Sequence, residues 1–240
     1  MATKKKHSSS SKTNSKKSKK LFSKKFKKES KKLLRYAIGI FCAILVVIFC
    51  FQTIPNDPKE ESKMLDDMPA VCKRVQENYG QLIDSCSYLI GVPPEYVKAL
   101  TCLECSGRTD MPKRFEKHVY KRLKDVRDGK KSNYEGVSTA MIQDANDEAL
   151  KNLATSWGPF QIMGYKCLHL NINVADLRGN EAVYWGIKWI KGEYGHLLNA
   201  KRFKDAFHYH NAGCVYPSNG KPKTYDKDYV PNGLEYMKWF

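Results

Sequence analysis

Apolar side chains recur at three- and four-residue intervals over most of this chain. Met64, Met68, Val71 and Cys72, then Val75, Tyr79, Leu82, Ile83 and Cys86, trace one face of a helix. Pro93-Pro94 opens a second helix, because a proline in the first turn lacks only an N–H that has no intrahelical acceptor. Its stripe of Val97, Leu100, Thr101 and Leu103 leads into Glu104, and Ser106-Gly107 closes it. The polar stretch 106–116 predicts a loop or small hairpin. Helical spacing resumes over Lys117–Val126 and from Ser138 to Leu153, across a loop rich in Gly, Ser and Asn at 128–137. Asn173-Val174-Ala175-Asp176 prepares a long helix through Glu181, Val183, Trp185, Ile187, Trp189 and Ile190. Another runs from Lys201 to His210, and the last spans Tyr225–Phe240. Strand signals are few. The pattern predicts one mostly α domain over 64–240 with at most a short β-hairpin, and no internal repeat.

One run has no helical periodicity because it is apolar throughout. Tyr36–Phe51 contains no polar face, and no charge occurs between Arg35 and Asp57. A helix of about twenty-one residues covers about 31 Å, close to the hydrocarbon thickness of a bilayer. Residues 36–54 are therefore expected to be a transmembrane signal anchor. A cleaved signal peptide is the rival reading, but the basic region before it is too long and no small-x-small cleavage site follows Phe51. Residues 55–63, with Pro55 and Pro58, form a linker.

The formal charge of +17 changes meaning once it is located. Residues 1–35 hold fifteen Lys and Arg against Glu29 alone, leaving 27 basic and 24 acidic residues for the rest. This Lys/Ser tail cannot bury enough apolar surface to fold and is expected to be disordered. It can bind lipid or nucleic acid, or serve only as a topology signal and solvated leash; no interleaved aromatics suggest base stacking. The positive flank retains the tail in the cytoplasm. The expectation is a single-pass type II protein of a bacterial cytoplasmic membrane, its large domain in the periplasm or cell-wall space. No nucleic acid is expected to bind that near-neutral outer domain.

Cys42 and Cys50 fall in the apolar run, whereas Cys72, Cys86, Cys102, Cys105, Cys167 and Cys214 lie beyond it. An even number outside the membrane predicts at least one disulfide, with connectivity open among 15 pairings. Cys102-x-x-Cys105 with His208-x-His210 offers a zinc-type ligand set, but a second Cys-x-x-Cys is missing. A thioredoxin-like role lacks its βαβ setting. The reading is no metal and no cofactor.

Glu104 is the candidate for chemistry. A carboxyl group at the end of an apolar helix faces poor solvation, which raises its pKa, and the helix C-terminus pushes the same way. For any single Glu an ordinary surface or capping role competes. Three later blocks follow in order: Ser156-x-Gly158-x-x-Gln161-Ile162-Met163, then Ala206-Phe207-His208-Tyr209-His210-Asn211-Ala212-Gly213, with Arg114-Phe115-Glu116-Lys117-His118-Val119-Tyr120 between Glu104 and the first of them. Read together with Glu104-x-Ser106-Gly107, this resembles the lysozyme-like superfamily of lytic transglycosylases and muramidases. The Phe115–Tyr120 stretch and Ser156-Trp157-Gly158-Pro159-Phe160-Gln161-Ile162-Met163-Gly164 look like the phage-type N-acetylmuramidases.

The resemblance implies a lysozyme-like domain that cleaves the β-1,4 bond between N-acetylmuramic acid and N-acetylglucosamine, with Glu104 as general acid. It implies that Ser156, Gly158, Gln161 and Met163 wall the cleft, and that Tyr209, His210 and Asn211 lie beside it. His210 stands where the family shows Tyr. Trp157, Phe160 and Tyr165 are cleft or core aromatics, and Tyr225 and Tyr229 are cleft or core tyrosines. A hydrolase wants a second carboxylate, for which Glu116 leads Asp110 and Glu135, although Glu116 can equally be an ion-pair partner. A lytic transglycosylase needs none, because the muramyl C6 hydroxyl closes onto the anomeric carbon. The partners implied are peptidoglycan strands, the membrane and a secretion or conjugation apparatus. The competing class is a membrane-tethered wall-binding or assembly protein that keeps the fold without catalysis.

Overall fold

The folded unit of the computed structural model is Met64–Phe240, and the residues described are 67–110 and 113–240. The basic tail, the anchor expected at 36–54 and the linker lie outside them. Among the described residues no helix is long and apolar enough to cross a membrane.

The first periodic stretch forms α1 (Ala70–Val75), one π-helical turn (Gln76–Gly80) and α2 (Gln81–Ile90) in continuous succession. Next comes α3 (Pro94–Cys105), whose residues Tyr96 to Cys102 are all buried. A helix buried on every side is a central helix, and α1 and α2 pack against it. Its one buried cation, Lys98, is balanced by Asp84 at 2.8 Å.

The smaller lobe contains more strand than the sequence pattern predicts. Strand β1 (Arg114–Phe115) precedes α4 (Lys117–Arg127), a hairpin of β2 (Asn133–Tyr134) and β3 (Val137–Ser138), and the short helices α5 (Thr139–Ile142) and α6 (Asp147–Leu153). Strands β4 (Thr155–Trp157) and β5 (Ile162–Met163) then complete an antiparallel sheet of order β1-β4-β5, with Ser156 opposite Arg114 on one side and Met163 on the other. Helix α7 (Lys166–Leu170), a 3-10 turn (Val174–Leu177), the long α8 (Ala182–Asn199), α9 (Phe203–Ala212) and α10 (Tyr229–Tyr236) finish the chain. Helix α10 packs against α3 and α9, and α8 against α2. Asn173-Val174-Ala175-Asp176 builds a capping box as its composition suggests, but on the 3-10 turn rather than on α8.

The 155–163 block is a β-hairpin. Its turn needs two left-handed residues, Gly158 (φ 73°) and Gln161 (φ 49°). A Cβ at Gly158 would also stand 2.5 Å from the Leu177 carbonyl oxygen. Only glycine satisfies both conditions. The last helix begins at Tyr229 rather than Tyr225, placing Pro231 in its first turn where proline is tolerated.

The expected disulfide is not made. All six cysteines of the domain are free thiols, five of them buried; the Cys72 and Cys102 sulfurs lie 3.8 Å apart between α1 and α3.

Candidate active site

Glu104 sits in the last turn of α3. The helix ends because Ser106 adopts a left-handed conformation (φ 53°), with its N–H donating to the Cys102 carbonyl. The turn that follows is pinned from α1 and the π turn. Arg74 Nε donates to the Ser106 carbonyl (2.7 Å), Asn78 Nδ2 to that of Gly107 (2.8 Å), and the Tyr79 hydroxyl to that of Arg108 (2.7 Å). A Cβ on Gly107 would lie 2.8 Å from the Val75 nitrogen, so the two segments touch backbone to backbone. Glu104 is thus held on a turn with little freedom to move.

The carboxyl side chain is 14 % exposed. Burial raises its pKa from an ordinary 4.5 to about 7, against a smaller lowering by the hydrogen bond it accepts from the Tyr229 hydroxyl. The sequence argument for a desolvated acid is matched, and desolvation is the larger cause.

His210 Nε2 lies 3.7 Å from the same carboxyl oxygen. The contact is not an ion pair, because burial lowers the imidazole to about 4 and leaves it neutral. Its tautomer follows from its partners. Nε2 is 3.0 Å from the Phe160 carbonyl, which can only accept, so Nε2 carries the proton. Nδ1 then accepts from the Tyr194 hydroxyl at 2.7 Å, which in turn accepts from Tyr96 at 3.3 Å. A buried relay of two tyrosines and one histidine therefore terminates beside Glu104. Fully satisfied networks of this kind are rigid.

Next to His210 opens a cavity of about 240 Å³ whose lining includes Gln161, Met163, Tyr209, Trp189, Glu135 and Glu193. Glu193 faces Lys166 at 3.6 Å, and the Lys166 ammonium lies over the Trp189 ring. Glu135 stands at the tip of the β2–β3 hairpin in a left-handed conformation (φ 50°), followed by Gly136 (φ 82°). Two successive residues of positive φ make the turn that matches strand twist. The strained position carries a carboxylate to the cavity rim.

The candidates from sequence divide clearly. Gln161, Met163, Tyr209 and His210 line the cavity. Ser156 and Gly158 are outside the lining: Ser156 donates to the Arg114 carbonyl at 3.2 Å, and Gly158 faces the Leu177 carbonyl. Asn211 is exposed at the end of α9 and outside the lining. Tyr225 is fully exposed, and Tyr229 makes the contact with Glu104 instead. Phe160 is core, and Tyr165 is buried at the cavity edge. Glu116 lies in a different groove, engaged by Arg114 at 2.8 Å and His118 at 3.5 Å. Tyr96 and Tyr194 were not foreseen; a hint is Gly192-Glu193-Tyr194-Gly195, where Tyr194 breaks helical geometry within α8.

The zinc-type set is not assembled. His208 donates from Nδ1 to the Cys214 carbonyl at 2.7 Å and accepts the Lys223 N–H at Nε2. Among the described residues no group of three His, Cys, Asp or Glu side chains is placed to hold a metal.

A raised acid pKa has a stability consequence. The folded state binds the Glu104 proton more tightly than the unfolded chain, so its contribution is fully present below about pH 4.5 and is lost as pH rises to about 7. The loss is about 3 kcal/mol at full ionisation. Glu104→Gln, which cannot ionise, should therefore be more stable than wild type at pH 8 and nearly equal to it at pH 4. Denaturant titrations at the two pH values measure this, and equal differences at both would refute the assignment of the pKa.

Compared with family models, with curated proteins and with solved structures, the chain matches none.

Proposed function

We propose that this protein is a membrane-anchored peptidoglycan glycosidase of lysozyme-like fold, cleaving the bond between N-acetylmuramic acid and N-acetylglucosamine. The observation that carries the reading is Glu104, a carboxyl group nearly removed from solvent, protonated up to about pH 7 and 3.7 Å from His210, which lines a cavity with polar and aromatic walls. A general acid requires a proton to give near neutral pH and a fixed aim at the leaving oxygen. Burial supplies the first, and the pinned turn with Tyr229 supplies the second. As the proton leaves, the Tyr229 hydroxyl donates to the carboxylate that forms. Gln161 and Tyr209 provide polar and aromatic surface for an N-acetylated sugar. The proposed setting is the bacterial cytoplasmic membrane, the domain facing the wall and opening it for growth or for a secretion or conjugation apparatus.

Glu135 favours water as the acceptor. It shares the cavity lining with His210, whereas Glu193 is balanced by Lys166 and Glu116 by Arg114. In this reading Glu135 is the base that activates water on the opposite face of the sugar. Mass analysis of muropeptides released from purified peptidoglycan should find reducing ends, and Glu135→Gln should lose about 10²-fold or more in rate. Anhydro ends, with Glu135→Gln as active as wild type, would reassign the acceptor to the muramyl C6 hydroxyl. Absence of any cleavage would favour the wall-binding class.

A further inference from the structure

The Arg114–Tyr120 block has no part in the chemistry proposed for Glu104, yet it builds a surface of its own. Helix α4 buries Val119, Leu123 and Val126, which turns Lys117, Lys121 and Lys124 outward at i, i+4 and i+7, one face of the helix. With Arg114 these lysines edge an open groove of about 780 Å³. Its aromatic part is Phe115, 47 % exposed, tilted against Tyr120 with ring centroids 5.9 Å apart. Glu116 is compensated by Arg114 and Lys124 reaches Asp147 at 3.6 Å. Lys117 and Lys121 are exposed. The groove therefore combines aromatic faces with an excess of positive charge.

Its position is tied to the cavity by the sheet. Arg114 and Phe115 form β1, which pairs with β4, and β4 pairs with β5, whose Ile162 and Met163 line the cavity beside His210. Two strand spacings separate the groove from the cavity edge, about 10 Å. A polymer lying in the cavity and crossing the sheet arrives at the groove.

We propose that this groove is a distal subsite for glycan strands that still carry acidic peptide stems. Sugar faces rest on Phe115 and Tyr120, and stem carboxylates meet Lys117 and Lys121. The assignment rests on the glycosidase reading and names the form of substrate that the site prefers. Charge complementarity selects the occupant: a strand stripped of its peptides retains the aromatic contact and loses the ionic one.

The test uses the full-length chain carrying Glu104→Gln, so that binding is measured without turnover. Lys117→Glu with Lys121→Glu should weaken binding of uncrosslinked, stem-bearing strands at least tenfold at low salt, an effect that fades as salt is raised. Binding of peptide-free strands should change less than twofold. Both lysines are exposed, and an unchanged thermal midpoint verifies that the variant is folded. Equal loss on both ligands, or loss on neither, overturns the proposal, as does tighter binding of a phosphodiester polymer than of stem-bearing strands. The parent reading fails separately, through absence of wall cleavage by the chain that retains Glu104.

Discussion

Glu104→Gln is expected to slow glycan cleavage by about 10³-fold, within the ~10²–10⁴ that a positioned acid contributes. The amide keeps the shape of the carboxyl group, and its oxygen still accepts the Tyr229 hydroxyl. What it lacks is the proton to give the leaving oxygen. The substitution therefore separates chemistry from folding, since the same variant should be the more stable one above pH 7. Initial rates of muropeptide release, set beside denaturation curves of the same samples, make the comparison. Turnover within a few fold of wild type would sink the mechanism.

The second large effect is on stability. Phe160→Ala should cost about 3–5 kcal/mol, the usual range for emptying an aromatic site in a core. The Phe160 ring is 1 % exposed and lies where Gly186 of α8 makes room, because a Cβ there would be 2.3 Å from the ring. Neither helix nor hairpin can easily collapse into the space, for the β4–β5 turn is held by its left-handed residues. For a domain of this size the thermal midpoint should fall by roughly 6–20 °C. The carbonyl of the same residue receives His210 Nε2–H, so loosening this turn should lower activity as well. Tyr225→Ala, at a fully exposed position, is the control and should change the midpoint little. A loss of less than about 1 kcal/mol for Phe160→Ala, a fraction of the cavity-forming range, would contradict the packing described here.

What could be read in advance followed from burial. Apolar stripes located α1 to α4 and α8 to α10 because each helix must turn one face inward, and the Glu104-x-Ser106-Gly107 turn was legible as a helix stop. The strands were not legible, since two or three residues are too few to show alternation. Their pairing is fixed by distant partners: Ser156 meets Arg114 and Met163 across two different chain separations. The sequence ranking of Glu116 ahead of Glu135 missed such distant partners. Distance along the chain favoured Glu116, but Arg114 and His118 hold it in another groove, while a left-handed turn delivers Glu135 to the cavity. Tyr225 and Tyr229 are four residues apart and chemically identical. Only the docking of α10 on α3 decides which one reaches Glu104. Tyr194 owes its place to a local break in α8, for which the flanking glycines are a weak signal.

The backbone contact between Val75 and Gly107 also sets where the domain can be cut. Arg74, Asn78 and Tyr79 precede the central helix, and a version trimmed back to that helix would begin at Pro94. Such a version would retain Glu104 and every cavity residue, yet lose all three side chains that fasten the turn behind it. For expression or library design, the minimal unit begins upstream of Ala70.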